Sequence, residues 1–345
     1  EEIEMFLITD CSEADKKYID FISSTNSKCL KVFNLKILDQ PGFRDLLNIY
    51  KILQIVKLIS PNVLHGHGAK GGLYARVVGF LLGVKVIYTA HGGSIHDMHG
   101  KIKNRIYSIV ERVLYKFSDL LVFESSYTLE QYSKKIGRSA KDQKFRLNYN
   151  AIDFPSDLSE IKCKEIEEKS EIIVGAFGLL RKIKGHDLLI DAVKVLRDKG
   201  HAVTLKLYGD GEERENLLNK AKDLHIENFV EIFSEVDCVD KAMRNCHIIA
   251  HPSRFESFGY VPLEALVNGV TVVSSLTGGL KEVMDEGRSG FCFEEVTSHE
   301  VAKQIECAIL NQNLRERKHQ HGLEFLSKNF SIDRFMKNIR KYYME

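Results

Sequence analysis

Short β-rich runs alternate with stretches of helical periodicity along almost the whole of this 345-residue chain. That alternation limits the fold more than any single motif does. In the first half, strands are predicted at 3–8, 30–35, 62–65, 85–89, 120–123 and 144–147, with helices at 45–59, 72–82, 101–116 and 127–136. In the second half, strands are expected at 172–177, 203–208, 229–232, 247–250, 270–273 and 290–293. Helices fall between them at 186–198, 212–224, 239–245, 258–268 and 280–285. Strands that alternate with helices must be joined by crossovers, so the expectation is α/β: two Rossmann-like doubly wound domains, each a parallel sheet with helices on both faces. The joint is placed at 153–170, where Pro155, Ser156, Ser159 and the polar run 165–170 break the apolar pattern. After residue 293 the pattern is purely helical, at 300–310, 314–328 and 332–343, the last with Phe335, Ile339 and Tyr342 at helical spacing. The domains are read as 1–155 and 170–328, followed by a terminal helix at 329–345. The first strand leads into a polar stretch without a glycine turn, so the first domain is expected to lack its opening βα unit.

Composition narrows the function classes. Apolar residues at 44% and charged residues at 28% suit two packed cores and exclude disorder. A net charge of +1 does not suggest nucleic-acid binding. The longest apolar run, 77–84, is far too short to cross a membrane. The acidic opening Glu1, Glu2 and Glu4 lacks the basic start of a signal peptide. Seven cysteines without a C-x-x-C pair encode neither a zinc knuckle nor a redox dithiol. A reducing, cytoplasmic setting is expected. Charge is nonetheless uneven: residues 1–155 carry 22 Lys and Arg against 16 Asp and Glu, and the remainder 27 against 32. The basic excess centres on the helical stretch 101–116, where Ile102, Ile106, Ile109, Val110, Val113 and Leu114 mark one face. That apolar face is expected to pack and the basic face to meet solvent, or the headgroups of an anionic membrane.

The chemistry concentrates in 251–269. A buried strand runs into a polar loop, and a helix starts near Phe258 and Gly259. The open amides of a first helical turn at the carboxyl edge of such a sheet favour a phosphate. Glu256 and Glu264, eight residues apart, would repel that phosphate unless they accept hydrogen bonds from hydroxyls, as a sugar and a ribose would offer. A capping Glu plus a surface Glu is the plainer alternative.

The stretch Glu256-Ser-Phe-Gly-Tyr-Val-Pro-Leu-Glu264 resembles the E-x7-E signature of retaining glycosyltransferases of GT-B architecture, glycosyltransferase family 4. Gly178 with Lys184-Gly185, the strand end 207–211, Thr277-Gly-Gly-Leu-Lys-Glu282 and Gly287-Arg-Ser-Gly-Phe291 resemble further family landmarks in the same order. So do His65-Gly-His67, Thr89-Ala-His91-Gly92 and Asn150-Ala-Ile-Asp153. The resemblance implies two domains facing across a cleft, with acceptor on the first and donor on the second, and a final helix returning to the first. It implies that Glu256 contacts donor-sugar hydroxyls, with Ser257 beside it, and that Glu264 holds the ribose. The amides of Phe258 and Gly259 would lie by the sugar and diphosphate, and Gly209 and Gly211 would leave room for the base. Lys184, helped by Arg181 or Lys182, would neutralise the leaving diphosphate, and His91 would reach the donor sugar. His67 and His96 would border the acceptor.

Leu179 departs from the pattern by standing where the family has an arginine, which is why Arg181 and Lys182 are considered. No D-x-D triplet is present, and His65 and His67, two apart, are expected to share a side only by accident of the turn, so no metal and no cofactor beyond a UDP- or GDP-linked sugar is expected. The implied activity is metal-independent transfer of a hexose to a saccharide or lipid-linked saccharide in surface-polysaccharide synthesis, at the inner membrane face. A nucleotide-sugar epimerase, a phosphorylase or a non-catalytic binding relative are the alternatives. A dehydrogenase is not, because 175–178 lacks G-x-G-x-x-G spacing.

Overall fold

The structure, a computed structural model, describes residues 3–12, 18, 30–38, 40–92, 100–167 and 171–345. His96, and most of the polar stretch read as lacking a glycine turn, lie outside them. The chain forms two compact units: Glu1–Phe123 with Gln131–Arg146, and Glu124–Glu130 with Leu147–Glu345.

In the first unit, β1 (Met5–Thr9) and β2 (Leu30–Asn34) pair in parallel, with Met5 opposite Leu30. A second sheet has the order β3 (Val63–His67), β4 (Lys85–Thr89), β5 (Leu120–Phe123), β6 (Phe145–Leu147). Helices α1 (Phe43–Ile59) and α2 (Gly68–Leu82) intervene, and Ile52 and Val56 of α1 meet Tyr74 and Val78 of α2 in a buried cluster with Leu35. The two helices thus bury the apolar stripes that their 3.6-residue period aligns.

Helix α3 (Lys101–Leu114) overturns an expectation. Its apolar face does not pack: Ile102, Ile106, Ile109, Val110 and Val113 are all exposed. The inward face carries Asn104, Tyr107, Ser108, Glu111 and Leu114. The reason is electrostatic. Arg76 of α2 is fully buried, and its guanidinium grips Glu111 through two hydrogen bonds of 2.7 and 3.2 Å. A buried cation must be paired, and satisfying Arg76 turns the helix inside out.

The second unit takes in residues Glu124–Glu130, with the first turn of α4 (Ser126–Ile136), and resumes at Leu147. Its six-stranded sheet has the order β12 (Phe291–Phe293), β11 (Thr271–Ser275), β10 (Ile248–His251), β7 (Ile172–Phe177), β8 (Val203–Tyr208), β9 (Val230–Phe233). Every pairing is parallel. The chain winds outward from β7 in one direction, returns, and winds outward from β10 in the other. The strand order therefore reverses between β7 and β10, where Ile249 lies opposite Gly175. The strands read as continuous apolar runs because helices such as α5 (His186–Asp198) and α10 (Ser298–Leu310) cover the sheet. The last helix, α12 (Ile332–Met344), buries Ile339 and Tyr342, and Asn338 donates to Asn148 at 2.9 Å. Among the described residues no helix is long and apolar enough to cross a membrane.

Candidate functional site

In open α/β sheets, ligands bind outside the carboxyl ends of the strands where the strand order reverses. The β7–β10 reversal places two loops at that point. The loop after β7 carries Arg181, Lys182 and Lys184, and the loop after β10 carries Glu256. The structure joins them: Lys184 Nζ lies 2.6 Å from Glu256 Oε2. His251, the last residue of β10, reaches the same oxygen through Nε2 at 3.1 Å, and Ser253 Oγ lies 3.2 Å from that nitrogen.

Electrostatics follow from burial. Burial pushes the imidazole of His251 below its ordinary value, so near neutrality it is uncharged. For Glu256 burial works the other way, yet the His251 and Lys184 contacts prevail and hold the carboxyl down to about 2. His186, just beyond Lys184, is pushed to about 4 by its own burial. The result is a fixed carboxylate and an ammonium beside neutral imidazoles.

Backbone packing fixes the loop. Thr277 and Ser275 hydroxyls both donate to the Ser253 carbonyl at 2.7 Å, and the Gly279 amide donates to the Glu256 carbonyl at 3.0 Å. Gly278 has φ +60°, and a methyl group there would overlap the Glu256 carbonyl oxygen, so only glycine fits. Ser257 accepts from Ser125 Oγ at 2.6 Å through its carbonyl. The Phe258 side chain is buried against Phe330 and Tyr260, and Gly259, at φ +106°, precedes helix α8 (Tyr260–Val267). Arg254 grips Asp187 with two bonds of 2.7 Å and also donates to the Lys182 carbonyl, which ties the two loops together.

The other sequence-predicted residues take different places. Glu264 sits in the second turn of α8, half-buried, and burial followed by the charge of Asp240 raises its carboxyl above the usual range. Arg181 and Lys182 are exposed around the short turn Lys182–Lys184, and Leu179 is exposed just before them. Gly209 and Gly211 end β8 with their backbone against Gly178 and Leu180, a packing need that exists whether or not a base lies there. Three residues act here in roles that the sequence does not assign them. His251 was visible only as the start of the loop, and Ser253 had no spacing signal. Glu282 accepts the amides of Ser126 and Tyr127 at 2.8 Å each and so caps α4 from more than 150 residues away. A cavity of about 600 Å³ lies on the Glu282 side, lined among others by Tyr127, Tyr149, Lys281 and Arg288, and takes in none of the predicted residues.

In the first unit, His67 Nδ1 and His91 Nε2 are 3.0 Å apart at the carboxyl ends of β3 and β4. The His65 and His67 rings lie 4.2 Å apart. Residues i and i+2 of a strand share a face by its period of two, so their shared side is a property of β3 rather than an accident of a turn. Burial pushes His65 to about 3 and His67 to about 4, with the neighbouring histidines adding to both.

A chain of two Rossmann-like units, with a cation and a carboxylate at the reversal point of the second, is a ligand-binding α/β protein of the doubly wound class. Residues 159–324 match the glycosyl transferases group 1 family and residues 26–154 match glycosyltransferase family 4. The chain belongs to the GT-B glycosyltransferases of the family 4 type. An uncharacterized glycosyltransferase of Methanocaldococcus jannaschii is 29% identical over 353 residues, spanning 100% of this chain and 90% of that one. The capsular polysaccharide biosynthesis glycosyltransferase CapM of Staphylococcus aureus is 23% identical over 349 residues, spanning 95% and 90%. The crystal structure of Anabaena HepE in complex with UDP-glucose shares the fold, with a TM-score of 0.79, 20% identity and 99% of both chains covered.

Proposed function

We propose that this protein is a retaining, metal-independent glycosyltransferase that moves a hexose from a UDP- or GDP-linked donor to a saccharide or lipid-linked saccharide in cell-surface polysaccharide synthesis. The observation that carries the reading is the contact of Lys184 with Glu256 at the β7–β10 reversal. Breaking a sugar–phosphate bond builds negative charge on the diphosphate and positive charge on the ring. Lys184 supplies a preorganised cation for the first and Glu256 a fixed carboxylate for the hydroxyls of the second. Glu264, deeper along α8, is suited to a ribose, and the cationic side chains of Arg181 and Lys182 stand within the loop that would meet the diphosphate. His91, braced by His67, is assigned to the donor sugar. HepE, which shares the fold, was crystallised with UDP-glucose, and CapM by its name serves capsular polysaccharide, which supports both the donor class and the pathway class.

Calorimetric titration with UDP, GDP and ADP, with and without magnesium, tests the reading. Binding of one nucleotide that is indifferent to magnesium and weakened in Glu264→Ala is the expected result. Binding of none of them, or binding that requires magnesium, would overturn it.

A further inference from the structure

Helix α3 presents to solvent a face that a soluble protein ordinarily buries. Ile102, Ile106, Ile109 and Val113 form a continuous stripe at spacings of four, three and four, and they are 78, 53, 53 and 49% exposed. Phe117, one turn beyond, continues the stripe and stacks on Phe80 at 4.3 Å, itself 63% exposed. At 100° per residue, Arg105, Arg112 and Lys116 follow one edge of this stripe and Lys103 the other. The only acid in the helix, Glu111, faces inward and is consumed by Arg76. The outward surface is therefore apolar with a purely cationic rim.

We infer that α3 is the element by which this protein docks on an anionic lipid bilayer, lying in the interface with the isoleucine stripe among the acyl chains and the Arg105–Arg112 rim on the headgroups. Such a combination of apolar stripe and basic flank is what interfacial helices use. A second copy of this chain fits less well, because a two-fold contact through the stripe would bring one cationic rim against another. Anchoring through Glu111 and Arg76 keeps the stripe pointed outward without any rearrangement. The inference deepens the proposed lipid-linked acceptor by naming the surface that would bring the enzyme to it, and it rests on that reading for its purpose only.

The test is co-sedimentation of the full chain with vesicles of phosphatidylcholine alone and of phosphatidylcholine mixed with phosphatidylglycerol. Binding to the mixed vesicles only, weakened by salt, is expected. Ile106→Asp/Ile109→Asp and, separately, Arg105→Glu/Arg112→Glu should each reduce it roughly tenfold or more, with an unchanged thermal unfolding curve as the check on folding. If the aspartates disturb folding, the gentler Ile102→Ser should still lower vesicle binding measurably. Equal binding by wild type and variants, no binding to the mixed vesicles, or a wild-type dimer that the aspartates make monomeric would each overturn the assignment. Nucleotide titration is independent of vesicles, so failure here is distinguishable from failure of the proposed transfer.

Discussion

Arg76–Glu111 in the first unit and Lys184–Glu256 in the second are both sheltered from bulk water, and the two pairs are built differently. Arg76 and Glu111 are closed: two guanidinium bonds reach the carboxylate, Arg76 Nε donates to the Gly72 carbonyl at 2.8 Å, and the Tyr132 hydroxyl donates to Glu111 at 3.1 Å. The guanidinium also lies 4.0 Å from the centre of the Tyr88 ring. Lys184 and Glu256 share a single short contact, and their side chains are 24 and 17% exposed against 0 and 5% for the first pair. A saturated pair fixes an orientation. A pair with spare donors and open access can exchange partners, which is what a site that receives and releases an anionic ligand needs.

That contrast can be broken or sharpened by substitution. Glu111→Ala strands a buried cation and should cost about 3–5 kcal/mol of stability, read as a lowered denaturation midpoint with nucleotide affinity unchanged while the protein stays folded. Glu256→Ala and Lys184→Ala should weigh more on turnover, each losing about 2–4 kcal/mol of transition-state stabilisation in a transfer assay, with the midpoint moved less than by Glu111→Ala. A large loss of stability in either would make this pair structural as well. Glu264→Ala should weaken nucleotide binding by about 1.5–3 kcal/mol, the worth of hydrogen bonds to a charged group. Because burial raises the Glu264 carboxyl, nucleotide affinity should fall as pH drops through that raised range, and Glu264→Gln should flatten the profile. Gly278→Ala should cost about 1–3 kcal/mol in unfolding experiments, since neither φ nor the Glu256 carbonyl can yield. A further effect is on acid stability. Glu256 is held at about 2 in the folded protein against 4.5 ordinarily, so its contribution is complete above 4.5 and is lost as pH falls toward 2. An acid titration of Glu256→Gln that shows the same slope would remove that assignment.

Most of the architecture could be read in the residues, because periodicity is a local property. The strands at Lys85–Thr89, Leu120–Phe123, Ile172–Phe177 and Val203–Tyr208, and the helix at His186–Asp198, form where the pattern places them. The orientation of α3 was not legible, because it depends on one arginine 35 residues earlier outweighing five apolar side chains. The pairing of Lys184 with Glu256 was half-legible: each was marked, but their direct contact requires the strand order of the sheet. His251 was missed because a histidine ending a buried strand looks like any core residue until its partner is seen.

The Glu282 clasp on Ser126 and Tyr127 has a consequence for dissecting the protein. Residues 124–130 belong to the second unit, although chain of the first lies on both sides of them. The two units are interleaved in sequence, so no single cut releases either one whole. A fragment starting at Leu147 would leave Glu282 with no amides to hold, and a fragment ending at Arg146 would carry an uncapped helix. Isolated halves of this enzyme should therefore be made by grafting 124–130 onto the second unit, not by trimming at the apparent linker.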